Sequence, residues 1–125
     1  MKFALLIIFL AVTPMHAAEN TNWPTYANDP GSSKYADLSQ INASNVHSLK
    51  PIWIWESPDN HIVKNNRQLT PWGFKSTPIK IDNVLYTSTS LGHVSAISAD
   101  QGNTLWNFDT KSYTEGRPTN LGFNH

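Results

Sequence analysis

The chain has 125 residues, 39% of them hydrophobic and 14% charged, a composition that suits one globular domain and excludes a disordered tail or a coiled coil. Nine Lys and Arg balance nine Asp and Glu, so there is no basic field to attract nucleic acid or an anionic membrane surface. Cysteine is absent, which excludes disulfide frameworks, thiolate metal sites, cysteine nucleophiles and a lipid-modified cysteine behind a leader. Five Trp, four Tyr and five Phe must then supply much of the core.

At the amino terminus, Lys2 precedes an apolar run from Phe3 to Val12, and Thr13, Pro14, Met15, His16, Ala17 and Ala18 follow it. A positive charge, a short apolar run and small residues in that order predict a secretory signal peptide over residues 1–18. The run is roughly half as long as a membrane-crossing helix requires, so no membrane span is expected once the leader is removed. The mature chain is expected to begin near Glu19 and to be periplasmic or secreted.

Residues 19–56 read as an amino-terminal arm followed by a first strand. Asn20, Asn22, Pro24, Asn28, Asp29, Pro30, Gly31, Ser32 and Ser33 are too dense in turn formers for a long regular element, while Trp23, Tyr26 and Tyr35 gain by burial and favour an ordered arm over a linker. Leu38, Ile41, Val46 and Leu49 suit one or two short helical turns, with Asn42 or Ser44 as the cap. Asn42-Ala43-Ser44 also fits a glycosylation pattern, for which capping is the simpler use. Ile52, Trp53, Ile54 and Trp55 predict a strand that is apolar on both faces.

Residues 57–76 read as a loop, because Pro58, Asp59, Asn60, Asn65, Asn66 and Pro71 punctuate Ser57 to Trp72. Residues 77–109 then predict four short antiparallel strands: Thr77 to Ile81, Val84 to Ser88, Val94 to Ser98 and Thr104 to Phe108. Turns are expected at Asp82-Asn83, at Gly92 and through Asp100 and Gly102. One sheet with apolar residues on both faces needs neighbours to cover it, so this unit reads as one blade of something larger. Residues 110–125 lead away from it.

The run Ala96-Ile-Ser-Ala-Asp-Gln-Gly102-Asn-Thr-Leu-Trp106 resembles the tryptophan-docking repeat of pyrroloquinoline quinone (PQQ) dehydrogenases, with Ser98 where that family usually has Asp and Gln101 where it usually has Thr. In such a repeat Ala96 permits close packing, Gly102 permits a turn at positive φ, and Trp106 stacks between blades. Trp23-Pro-Thr-Tyr26, Tyr35-Ala-Asp-Leu38, Gln40 to Val46, Leu49, Trp53, Thr77-Pro-Ile79, Val84-Leu-Tyr86 and Ser88-Thr89 are similar to the arm and first blade of the same family. Gly116 to His125 is similar to the loop leading into the quinone pocket of its glucose-dehydrogenase-like members.

That resemblance implies an all-β fold, an eight-bladed β-propeller of which this chain supplies the arm and about one blade. On that basis the chain is expected to be an amino-terminal fragment, inactive alone, of an oxidoreductase acting on a glucose-like sugar or an alcohol. The implied cofactors are PQQ and Ca2+. The implied partners are the small-molecule substrate and an electron acceptor, a cytochrome or a quinone. The calcium ligands and the catalytic carboxylate belong to later blades, so no residue here is assigned to either role.

For the cofactor floor and rim the resemblance implies Lys75, Asn120, Leu121 and His125. Lys75 occupies the position where several members carry a carboxylate near the quinone. Asn120 and Leu121 fall near the paired cysteines of methanol-oxidising relatives, which points to the sugar-oxidising branch. His47, His61 and His93 have no spacing that places two on one face of an element, so no metal site is expected from them. Trp53, Trp55, Trp72 and Trp106 are expected to pack rather than to stack on sugar. A propeller scaffold that binds protein partners and a small secreted carbohydrate-binding module remain alternatives at this point.

Overall fold

The computed structural model describes residues 21–66, 68–69 and 74–115. Its frame is one four-stranded antiparallel sheet in the order β1 (Ile79–Ile81), β2 (Val84–Ser88), β3 (His93–Ser98) and β4 (Thr104–Asp109). Each strand pairs with the one before it, because the connections are short and carry residues that accept turn geometry. Asp82 (φ 51°), Gly92 (φ 85°) and Gly102 (φ 71°) take the left-handed conformations at the three reversals.

The register sets the two faces. Ile79 pairs with Tyr86, Tyr86 with Ala96, and Ala96 with Trp106, so these four lie in one row on one face. The Tyr86 and Trp106 rings come to 6.2 Å across Ala96, which is fully buried. A register shift at Ala96/Ile97 leaves Leu105 as the extra residue of a bulge. On the opposite face Thr87, His93, Ser95 and Ile97 are buried, and the Ser95 hydroxyl donates to Asn107 at 2.8 Å.

The core is therefore centred on β3, while β4 stays open. Trp106 is 47% exposed and Phe108 61%, although the sequence marks both for burial. Large apolar side chains on an outer strand with no covering layer among the described residues are what one blade needs its neighbour for.

The arm is ordered against the outer edge. Trp23 and Lys80 exchange backbone hydrogen bonds (2.8 and 2.9 Å), and the Asn22 side chain accepts the Asp82 N–H at 2.7 Å. Between Leu38 and Leu49 only Val46–Ser48 winds into a 3-10 turn. Its cap position is Asn45, whereas Asn42 and Ser44 bond to each other just before it.

Two segments differ from the sequence expectation. Ile52–Trp55 forms no strand: the chain bends at Ile52, has no sheet partner there among the described residues, and Ile52 and Ile54 are more than 80% exposed. Only one side of it is covered, with Trp53 and Trp55 turned to the blade: their indole N–H groups donate to the Ala99 carbonyl (3.1 Å) and the Thr104 hydroxyl (2.9 Å). The region expected to be loop throughout contains a helix, α1 (Asp59–Asn65). Ser57 starts it by accepting the Asp59 N–H at 3.2 Å, and Pro58 supplies a preset φ at the entry.

Candidate functional site

The register also fixes the two ends of the blade. The approach to β1, the β2–β3 turn and the exit of β4 share one end, because Ile79 pairs with Tyr86, Ser88 with Val94 and His93 with Asp109. Lys75 lies in the run just before β1 and is exposed at that end. Its neighbour Ser76 is tied to β2, accepting from the Thr87 hydroxyl and sitting 3.3 Å from the Ser88 hydroxyl. A cavity of about 280 Å³ opens beside it, lined chiefly by Tyr26, Ile79, Tyr86 and Val94. That volume is just below the usual range for pockets that enclose a cofactor-sized ligand, so by itself it is at most one wall of such a site.

Behind the rim stands a buried polar cluster. The His93 ring, 3% exposed, faces a carboxylate at each nitrogen: Nδ1 is 3.1 Å from Asp59 Oδ1 and Nε2 is 3.5 Å from Asp109 Oδ1. Asp59, from the first turn of α1, also accepts the Thr89 hydroxyl (2.6 Å) and the Leu91 N–H (3.0 Å). Asp109 accepts the Lys111 N–H (2.8 Å) and the Tyr113 hydroxyl (2.9 Å), and the Tyr113 ring stacks on His93 at 6.1 Å. The Lys111 N–H, the Tyr113 hydroxyl and the charge of His93 hold the Asp109 carboxyl below its ordinary range. The same Tyr113–Asp109 bond, with burial, pushes the Tyr113 phenol up.

Among the described residues no buried side-chain nitrogen or oxygen lacks a hydrogen-bond partner. The cluster is thus saturated from within, which suits holding segments together better than proton transfer to a substrate. Sequence reading missed this cluster, because Asp59 and Asp109 are distant from His93 in sequence. Among the described residues no group of three or more His, Cys, Asp or Glu could hold a metal ion.

At the other end sits the docking motif. Ala96 lies beneath Tyr86 and Trp106, and Gly102 turns directly against the Trp53 indole. That role of Trp53 was not visible in the sequence. Asn120, Leu121 and His125 lie outside the described residues.

Comparison with known proteins decides what this blade belongs to. Residues 23–123 match the family model described as "PQQ: Glucose/ethanol/alcohol dehydrogenase, beta-propeller domain". The chain belongs to this family. It is 30% identical over 115 residues to the quinoprotein glucose dehydrogenase of Escherichia coli, a match covering 92% of this chain and 13% of that protein. It is 33% identical over 94 residues to the quinohemoprotein alcohol dehydrogenase of Comamonas testosteroni, covering 75% of this chain and 12% of that one. The crystal structure of the Comamonas enzyme superposes with a TM-score of 0.60 at 33% identity over 78% of this chain and 13% of the other. The chain therefore spans about an eighth of the length of these relatives, and the blade is a β-propeller element. Relatives named for glucose and for alcohol match comparably well, so the preference for the sugar-oxidising branch gains nothing from them.

Proposed function

We propose that these residues are the arm and first blade of a periplasmic PQQ-dependent dehydrogenase that oxidises a sugar or an alcohol, with Ca2+ at the quinone and a cytochrome or quinone as electron acceptor. The observation that carries the reading is the family match over residues 23–123, which runs through the arm, the blade and the docking motif together. The open β4 face supports a neighbouring blade, since Trp106 and Phe108 otherwise expose apolar area worth roughly 25 cal/mol per Å².

PQQ, when bound, accepts the two electrons of the CH–OH group. The contribution of this chain is to the floor and rim. Lys75 fits the rim of an anionic cofactor: it is a cation, it is exposed, and it stands at the end of the blade where the β1 approach, the β2–β3 turn and the β4 exit meet. The catalytic base and the calcium ligands come from other blades, so these 125 residues alone are inactive.

Titration of the protein, as its gene encodes it, with PQQ in the presence of Ca2+ tests this reading through quenching of tryptophan fluorescence. Saturable binding is expected, and Lys75→Ala should weaken it roughly threefold to tenfold, the effect of one partly solvated charge contact. No saturable binding by a folded protein removes the cofactor reading and leaves a non-enzymatic propeller scaffold.

A further inference from the structure

Side chains from two other segments hold the β2–β3 turn. Asp59, in the first turn of α1, is buried, and its carboxylate spreads over the turn: Oδ2 accepts the Leu91 N–H at 3.0 Å, while Oδ1 accepts the Thr89 hydroxyl at 2.6 Å and lies 3.1 Å from His93 Nδ1. The Leu91 carbonyl accepts the Ser112 hydroxyl at 3.3 Å, so both peptide groups of this buried residue are engaged from outside the turn. Thr89 carries the contact inward, because the oxygen that donates to Asp59 also accepts the His93 N–H at 3.0 Å. Just before Thr89, the end of β2 supplies the hydroxyls that fix the approach to β1. Thr87 donates to the Ser76 hydroxyl at 3.3 Å, and the Ser88 hydroxyl lies 3.3 Å from the same oxygen. Lys75 is the next residue in the chain. One path therefore runs from the Asp59 carboxylate through Thr89, the end of β2 and Ser76 to the backbone of Lys75.

We propose that Asp59 is a positioning residue for the quinone site, fixing the β2–β3 turn and the end of β2 so that Ser76 holds Lys75 at the cofactor rim. This role rests on the dehydrogenase reading, which gives Lys75 its anionic ligand. Asp59 itself is buried behind the rim and acts through its partners. Its loss would leave the buried Leu91 N–H without its acceptor and the turn without its tie to α1, so the turn would shift to satisfy that group elsewhere. The sign of the effect separates positioning from simple electrostatics. Removing a negative charge near an anionic ligand strengthens binding through space, whereas a displaced rim cation weakens it.

A double-mutant cycle tests this on the protein as its gene encodes it, titrated with PQQ in the presence of Ca2+ and read by quenching of tryptophan fluorescence. Asp59→Asn should weaken binding roughly threefold to tenfold, at most the whole effect of Lys75→Ala, and should add less than about twofold once Lys75 is already alanine. Thr89→Val should repeat that pattern, and Thr89→Ser, which restores the hydroxyl, should recover binding to within about twofold of wild type. If circular dichroism shows that Asp59→Asn does not fold, the two Thr89 variants, each with and without Lys75→Ala, decide. Unchanged or tighter binding by folded Asp59→Asn, equal weakening with and without Lys75, or Thr89→Ser as weak as Thr89→Val would overturn the role of Asp59 and leave the cofactor reading standing. Folded wild-type protein that binds no PQQ would overturn the dehydrogenase reading and this role with it.

Discussion

Trp53 lies across the β3–β4 turn so closely that a Cβ on Gly102 would stand 2.6 Å from its Cδ2 atom. Two demands meet at Gly102: a φ of 71° that disfavours side chains and a ring that excludes them. The contact joins the arm to the blade across 49 positions of sequence, reinforced by the Trp53 indole N–H on the Ala99 carbonyl.

Gly102→Ala is therefore expected to cost about 2–4 kcal/mol, combining left-handed strain with overpacking. Gly102→Asn separates the two terms, since asparagine accepts the backbone conformation but keeps the Cβ. Both variants should lower the unfolding midpoint in denaturant. Full tolerance of Asn would mean that the ring yields and that only φ matters.

Trp53→Phe retains a ring over the turn and loses the 3.1 Å hydrogen bond to Ala99, so a loss of about 1 kcal/mol is expected. Trp53→Ala loses the ring as well and should cost about 2–4 kcal/mol, less than a fully buried tryptophan because the side chain is half-buried. Equal effects from the two variants would assign the whole contribution to the hydrogen bond.

At the same end, the Asp100 carboxylate ties two turns together. It accepts from the Asn83 amide and from the Ser98 hydroxyl, and these bonds, Asn83 first, hold its carboxyl below the ordinary range. A depressed carboxyl stabilises the fold above its unfolded pKa of about 4, and the contribution is lost as pH falls through the folded value. Asp100→Asn should accordingly lower the melting temperature at pH 7, and the difference from wild type should close as the solution is acidified. A difference that is the same at both extremes would contradict a charge-based tie.

The four strands were legible because their signals are local. Apolar alternation, the Asp82-Asn83 pair and the glycines at 92 and 102 specify reversals without help from the rest of the fold. Helix α1 was hidden by Asp59, Asn60, Asn65 and Asn66, which read as turn formers. The Ser57-Pro58-Asp59 start was the signal available, a side-chain acceptor followed by proline at the helix entry. Ile52–Trp55 looked like a strand buried on both faces because all four residues are apolar, and an apolar run says nothing of backbone partners. The His93 cluster could not be read at all, since one partner lies 34 positions away and burial there comes from tertiary contact.

Secretion offers an independent check at the other end of the chain. With Lys2 and the Phe3 to Val12 run acting as a leader, expression in a bacterium should yield a product beginning near Glu19 outside the cytoplasm, identified by intact mass and amino-terminal peptide. Recovery solely of cytoplasmic chain starting at Met1 would refute the leader.

The most direct test of the dehydrogenase reading is dye reduction by the gene-encoded protein reconstituted with PQQ and Ca2+, with glucose and ethanol offered separately. Reduction that depends on both the cofactor and one of the two substrates is expected, and residues 19–125 alone should give none. A folded, reconstituted protein that reduces no dye with any aldose or primary alcohol would contradict it.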